Sequence, residues 1–256
     1  MQPRTESGAQ QILMKLYQFP FSHFCEKARW ALDYKGVTYQ TVNLLPGLHL
    51  KPVRKLAPKS CVPVLQDSTV VVQNSSAIIT YLDAKYPDLP LTPCDPEAAR
   101  EAREWEETLD EQIGVTLRRC FYYHALPDRA RTLDFILTGA PWYGRPLYAL
   151  IFPKVREAMI RAMNINAQTA RQSEETLLAT LDKLDAALSQ RRFLVADRFS
   201  RADLTACALL SPCCLPEDVE AAARFPAPVL ELRSKLKERR FFRWVREVYR
   251  DYRRMR

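Results

Sequence analysis

The sequence is poor in several features that would indicate a particular class of protein. Only 6 of its 256 residues are glycine, which argues against an all-β fold with many tight turns and favours a helix-rich one. It holds no run of 18 apolar residues, so no membrane-spanning helix is predicted. Its 7 cysteines form no Cys-x-x-Cys pair and show no zinc-type spacing. We therefore expect free thiols in a reducing cytoplasm, without metal and without a secreted disulfide framework.

The formal net charge of +8 belongs to one end of the chain. Residues 233–256 contain eleven lysines and arginines and three acidic residues, which accounts for the whole net charge. The rest of the chain is balanced, so a nucleic-acid partner is not predicted. At the other end, residues 1–11 are polar and lack the apolar segment of a signal peptide, so we expect a flexible tail there.

The part that follows this tail alternates between strand and helix patterns. Residues 12–19 form a short apolar run typical of a buried strand, and a helical pattern follows up to Gly36. Residues 38–44 predict a second strand, which completes a βαβ unit. After an irregular segment, residues 62–72 predict an antiparallel hairpin, and a third helix begins with Asn74 or Ser75 as its N-cap. This order of elements is that of thioredoxin.

The remainder of the chain shows helical patterns and no convincing strand. Four prolines in residues 86–96 indicate a linker. We predict a thioredoxin-like α/β domain over 12–85, a linker over 86–97 and an all-helical domain over 98–256. Within the last of these, about 125–165 is predicted to be part loop and part helix, without an assigned role.

Three polar groups stand where they can bind a ligand. Ser22 precedes the first helix, where unpaired backbone N–H groups and the helix dipole stabilise an anion such as a thiolate; alternatively, it is a simple N-cap. Val62-Pro63 opens the third strand, where a cis-proline would present the backbone of Val62 to an extended ligand. Asn74 and Ser75 open another helix, which favours a carboxylate.

Together these motifs resemble the glutathione transferase family, in its cytosolic, bacterial-like form with a Ser/Cys active-site motif. The resemblance rests on Ser-x-x-Cys-x-x-x-Arg from Ser22, on Val-Pro-Val-Leu from Val62, and on the polar helix start that leads to Tyr81-Leu82. A capping box similar to the family's lies at Ser200 and Asp203, where Ser200 caps a helix and Asp203 reaches back to it. Ala196 replaces the glycine that is common in this loop.

The resemblance implies roles for individual residues. Ser22 would contact the glutathione sulfur, and Val62, preceding Pro63, would pair through its backbone with the cysteinyl part. Asn74, which replaces the usual Glu or Gln, and Ser75 would hold the γ-glutamyl carboxylate. Either Lys59 or Lys51 would reach the glycyl carboxylate.

Three further side chains are candidates for chemistry at the same place. Cys25 occupies the second position of a glutaredoxin-like motif, where it either packs in the core or forms a mixed disulfide with glutathione. Tyr17 and His23 are the other candidates, although the strand position of Tyr17 is typical of the core and that of His23 predicts a solvated loop.

The C-terminal segment predicts an amphipathic helix. Arginines at 239, 240, 243, 246, 250, 253 and 254 share one face, and aromatic and aliphatic side chains share the other. We expect the aromatic face to pack in the core beneath a solvated basic rim; the alternative is docking on an anionic membrane or an acidic partner.

These observations predict a cytoplasmic, homodimeric, detoxifying glutathione transferase-like enzyme. Glutathione is the expected co-substrate, and a small hydrophobic electrophile is expected near Trp105, Tyr122, Tyr123 and Trp142. Two alternatives stay open at this point. One is a glutathione-dependent reductase or peroxidase that uses Cys25; the other is a non-catalytic membrane or protein adaptor with the same fold.

Overall fold

A computed structural model describes residues 14–215 and 225–253. The tail expected at residues 1–11 and the arginine at position 254 lie outside the described residues, as does the segment 216–224 of the predicted helical domain. The domain boundaries given above stay predictions.

The first part of the chain folds into a four-stranded mixed sheet with the strand order β2-β1-β3-β4. Its strands are β1 (Met14–Gln18), β2 (Tyr39–Asn43), β3 (Val64–Asp67) and β4 (Val70–Gln73). Strand β1 runs parallel to β2 and antiparallel to β3, and β3 is antiparallel to β4. The βαβ unit and the hairpin predicted from the sequence are confirmed.

Helices cover both faces of this sheet. The helices α1 (His23–Tyr34) and α3 (Ser75–Lys85) pack on the face to which Leu16 points, and α2 (Leu50–Leu56) covers the other face. Successive strand residues point to opposite faces, so Leu16 enters the main core while Tyr17 packs with Val53 of α2. Asn74 is the N-cap of α3, and its side chain accepts a hydrogen bond from the Ser76 N–H.

The rest of the described chain is helical. One long helix consists of α4 (Pro96–Leu109), a π-helical turn (Asp110–Val115) and α5 (Thr116–Ala125). It is followed by α6 (Arg129–Ile136), α7 (Gly144–Met163), α8 (Ala167–Ala187), α9 (Arg201–Cys214), α10 (Ala227–Leu236) and α11 (Arg240–Tyr252). The fold class predicted from the sequence, an α/β domain followed by an all-helical one, is confirmed. The segment 125–165, predicted to be part loop and part helix, contains α6 and most of α7.

Helix α9 forms the centre of the molecule. Every residue from Arg201 to Leu210 is buried, which is expected of a helix surrounded by others, and α9 packs against α1, α4 and α11. The predicted capping box is confirmed: Ser200 caps α9, and the Asp203 carboxylate accepts hydrogen bonds from the Ser200 N–H and from the Leu194 N–H. Ala196 adopts a left-handed backbone conformation, with φ of 52°.

The C-terminal helix α11 packs by its aromatic face, as predicted. Phe241, Phe242 and Trp244 are buried, and the Trp30 indole donates a hydrogen bond to the carbonyl of Tyr252. The expectation of a fully solvated basic rim is wrong for two arginines. Arg239 is paired with Asp182 and Asp185, and Arg253 with Glu26 and Asp33, so both cations hold α11 in place. Within the described residues, no helix combines the length and the apolar character needed to cross a membrane.

Candidate functional site

The turn between β1 and α1 presents the Ser22 hydroxyl at the start of a twelve-residue helix. Ser22 is the N-cap of α1, and its Oγ accepts a hydrogen bond of 3.4 Å from the Cys25 N–H. A hydroxyl can accept and donate at once, so the Ser22 O–H is available to donate to a ligand. The dipole of α1 favours negative charge at the same point. The capping role and the capacity to bind an anion are therefore compatible.

The Val62-Pro63 peptide bond is cis, as the resemblance predicts, and directly precedes β3. Val62 and Ser22 line the same cavity. The Asn74 N–H donates a hydrogen bond of 3.2 Å to the Pro63 carbonyl, which ties the start of α3 to this turn. The structure thus brings the three sequence motifs together.

The groups expected to hold the carboxylates of glutathione lie at the edge of this arrangement. Asn74 is exposed and has a φ of 89°, a left-handed conformation that asparagine adopts more readily than most residues. Ser75 is buried, whereas Lys59 and Lys51 are exposed.

The Gln73 side chain fixes the loop that leads to Val62. It donates to the carbonyls of Lys59 and Cys61 and accepts from the Lys59 N–H. This role was not predicted from the sequence, because nothing in the local pattern indicates that β4 contacts that loop.

A cavity of about 410 Å³ opens beside Ser22, between the sheet domain and the helices. Its walls are mostly apolar and come from the β1–α1 turn, the loop before α2, and helices α5, α7 and α10. Of the aromatic residues expected to bind the electrophile, Tyr122 belongs to the described lining. The expectation is wrong for Trp105, which packs against the main core, and for Trp142, which is 89% exposed; Tyr123 is also absent from the described lining.

The segment 125–165 provides one wall of this cavity. Val155, Met159 and Met163 of α7 line it, and the Tyr148 hydroxyl donates a hydrogen bond to the Pro46 carbonyl. Helix α7 is thereby fastened to the loop that precedes α2. The sequence alone assigned no role to this segment, because its own pattern does not show which element it packs against.

Of the other candidate side chains near Ser22, Cys25 and His23 are buried and Tyr17 is half-buried. Cys25 is fully buried, and burial raises the pKa of its thiol above the ordinary value. The prediction of a solvated loop at His23 is wrong: His23 is the first residue of α1 and is buried. Burial, together with the nearby charge of Arg118, lowers the pKa of His23 to about 3, so its imidazole is neutral at physiological pH. Tyr17 is half-buried and donates a hydrogen bond to Gln66.

Among the polar residues of the cavity wall, His49 and Arg118 were not identified from the sequence. The His49 ring packs edge-on against Phe19 and accepts a hydrogen bond from the Gly47 N–H. Arg118 is the neighbour in sequence of Leu117, which belongs to the apolar stripe of α5. A charged residue beside such a stripe was the one signal in the sequence that could have identified it. Across the described residues, no group of three or more His, Cys, Asp or Glu side chains forms a candidate metal site.

Comparison with known proteins agrees with this geometry. Family profiles described as the glutathione S-transferase N-terminal and C-terminal domains match residues 16–92 and 147–227. Glutathione S-transferase Z2 of Arabidopsis thaliana is 43% identical over 88 residues, which are 33% of this chain and 40% of that protein. Glutathione S-transferase TCHQD of the same plant is 26% identical over 201 residues, which are 75% of this chain and 73% of that one. The first relatives are thus matched over only about two fifths of their own length.

The fold is shared with solved glutathione transferases. A glutathione S-transferase of Ceriporiopsis subvermispora, solved in complex with glutathione, superposes with a TM-score of 0.64 at 16% identity, covering 95% of this chain and 99% of that one. With both domain profiles matched in the expected order and the same two-part architecture, the chain belongs to the glutathione transferase superfamily.

Proposed function

We propose that this protein is a glutathione-dependent transferase that activates the thiol of glutathione at Ser22. The observation that carries the proposal is the Ser22 hydroxyl at the N-terminus of α1, in one cavity with Val62. The bound thiol would lose its proton, and the thiolate would attack an electrophilic carbon of a second substrate in the cavity.

The chemistry of the helix start supports thiolate formation. The sulfur of bound glutathione would accept a hydrogen bond from the Ser22 O–H, since the Ser22 oxygen already accepts one from the Cys25 N–H. Hydrogen bonds to an ionised group are worth about 1.5–3 kcal/mol. This corresponds to a lowering of the thiol pKa by roughly 1–2 units, to which the dipole of α1 adds.

The remaining parts of glutathione find groups of matching chemistry. The backbone of Val62 is suited to pair with the cysteinyl peptide unit. The N-terminus of α3 at Asn74 and Ser75 favours the γ-glutamyl carboxylate, and Lys59 would serve the glycyl carboxylate. The Asn74 side chain is already engaged in capping Ser76, so we expect the backbone at Ser75 to contribute more than the Asn74 amide.

The alternative of redox chemistry at Cys25 is disfavoured by its burial. A thiol reacts as the thiolate, and Cys25 is fully buried with a raised pKa. The adaptor alternative loses its main support as well, because the aromatic face of α11 is used in the core. The homodimer and the cytoplasmic location stay predictions; light scattering of the purified protein would test the first.

The test is the ionisation of bound glutathione, followed by the ultraviolet absorbance of the thiolate as pH is raised. A free thiol titrates near pH 8.5 or so. We expect the wild-type complex to titrate at least about 1 unit lower, Ser22→Ala to return the pKa toward the free value, and Cys25→Ser to leave it low. If Cys25→Ser abolishes the shift while Ser22→Ala keeps it, the chemistry belongs to Cys25 and the proposal is wrong.

A further inference from the structure

Arg118 is a cation in the cavity wall, and no aspartate or glutamate of the described chain forms a salt bridge with it. It lies on α5, and its guanidinium carbon lies over the Phe24 ring at 5.9 Å from the ring centroid. Its Nε is buried, and no hydrogen-bond partner for it occurs among the residues that the structure describes. A buried donor without a partner costs free energy, so an arginine in this state is better explained by a ligand than by stability.

Two cations that are fully buried in the described chain, Lys27 and Arg201, differ from Arg118 in this respect. Lys27 contacts Glu106 at 2.8 Å and Asp110 at 2.8 Å, and Arg201 contacts Glu106 at 2.6 Å. Both therefore have carboxylate partners, as buried charges usually do. Arg118 has no such carboxylate partner among the described residues, and it lies in the wall of the cavity.

Among the residues that the structure describes, the charged side chains of the cavity wall are basic. The described lining contains two arginines, Arg118 and Arg233, and neither aspartate nor glutamate. Arg233 donates a hydrogen bond to the Cys213 carbonyl. The two histidines of the described lining favour the neutral form: the pKa of His23 is lowered by burial and by Arg118, and that of His49 by burial. Arg118 in a mostly apolar wall, with no aspartate or glutamate among the described lining residues, is complementary to an organic anion.

Arg118 and Ser22 line the same cavity, and the packing of Phe24 connects them. Gly114, in the π-helical turn, lets the Phe24 ring approach the backbone, since a Cβ at this position would lie 2.5 Å from the ring. Arg118 follows one helical turn later and lies over that ring, while Phe24 is two residues after Ser22. The N–H donors of a guanidinium lie in its plane and form a fork that matches a planar carboxylate.

We propose that Arg118 selects electrophiles that carry a carboxylate and orients their reactive carbon toward the glutathione sulfur. This inference rests on the proposed function and names the substrate class of that site. With an aryl chloride, the thiolate forms the C–S bond, the C–Cl bond breaks, and chloride leaves with the electron pair. The carboxylate of the substrate does not react; it is the group that Arg118 binds. Glutathione itself carries two carboxylates, so the carboxylate that Arg118 binds could instead belong to glutathione.

The first experiment measures binding without chemistry. Calorimetry would compare dinitrobenzoate with its neutral analogue dinitrobenzamide, neither of which has a leaving group. We expect the wild-type protein to bind the benzoate at least about 10-fold more tightly than the amide, as one charged hydrogen-bonded pair gives. Arg118→Gln should remove this preference, and Arg118→Lys should keep part of it. Equal affinities in the wild-type protein, or no binding of the benzoate, would overturn the inference even if the thiol of glutathione is activated.

The second experiment identifies the source of the carboxylate. The values of kcat/KM would be measured with chlorodinitrobenzoate and chlorodinitrobenzamide, and the KM for glutathione with each. We expect Arg118→Gln to lower the benzoate-to-amide ratio about 10-fold or more. Arg161→Gln is the matched control, because it removes the same charge from the exposed side of α7, a helix that lines the cavity; its ratio should equal that of the wild-type protein. A raised KM for glutathione with an unchanged ratio would assign Arg118 to glutathione and overturn the proposal.

Discussion

The buried ion network around Glu106 offers the sharpest test of how the two parts of the molecule are joined. Glu106, on α4, is 3% exposed and lies between Lys27 of α1 and Arg201 of α9. Arg201 also donates to Thr80 and to the Ser76 carbonyl, both on α3. Burial acts to raise the pKa of Glu106, but the two cations hold it below its ordinary value.

The perturbation is Glu106→Gln, which keeps the shape of the side chain and removes its charge. Lys27 retains Asp110 as a partner, whereas Arg201 is left with neutral acceptors only among the partners described. Removing one partner of a buried pair costs about 3–5 kcal/mol. For a chain of this size, this corresponds to a fall in Tm of roughly 6–20 °C.

The assay is urea unfolding, with the free energy extrapolated to water, alongside a thermal scan. Glu104→Gln is the matched control, because Glu104 lies on the same helix and pairs with Arg100 in an exposed i,i+4 bridge. The control should lose about 0.5 kcal/mol or less. The reasoning is that removing the charge of Glu106 leaves a buried cation uncompensated. It would be refuted if Glu106→Gln lowered the free energy of unfolding by less than about 1 kcal/mol, or if the two variants lost equal amounts.

Three further outcomes follow from the structure. The pKa of His23 is lowered to about 3 in the folded protein, so its imidazole is neutral there. In the unfolded chain this histidine takes up a proton near its ordinary pKa, so the free energy of unfolding falls as the pH drops below about 6.5. We expect urea unfolding to show a loss of about 1.4 kcal/mol per pH unit that His23→Asn lacks. Trp244→Ala should cost about 3–5 kcal/mol, since the indole is buried and donates to the Arg192 carbonyl. Ala196→Gly should raise the unfolding free energy by roughly 1 kcal/mol, because an exposed left-handed position suits glycine.

Each of these has a contradicting result. The same acid dependence in His23→Asn would mean that other groups control it. A loss near that of the exposed neighbour variant Arg243→Ala, about 0.5 kcal/mol or less, would mean that Trp244 does not anchor α11. A less stable Ala196→Gly would mean that the entropy of glycine in the unfolded chain outweighs the relief of strain.

Local patterns in the sequence were sufficient for the order of elements and for the helix starts. The apolar run before Pro20, the capping pair Ser200 and Asp203, and the aromatic stripe of α11 are short-range signals. Each depends on contacts within a few residues or on the period of one helix, so each can be read without knowing the neighbours. The resemblance to glutathione transferases rests on such segments too.

Other features of the structure depend on which helices and strands pack against each other. The sequence did not indicate that α7 closes the cavity, that His23 is buried, or that Arg253 pairs with Glu26. Periodicity shows which face of a helix is buried but not which surface it packs against.

Arg118 shows the difference most clearly. In the sequence it is one arginine among many, and only the tertiary structure shows that it lines a cavity whose described residues include no aspartate or glutamate. The sequence by itself determined the architecture and the position of Ser22 at the start of α1, because both follow from local hydrogen bonding and apolar periodicity. The tertiary structure decided the shape of the cavity and which charged side chains line it, because both depend on residues that are distant in the chain.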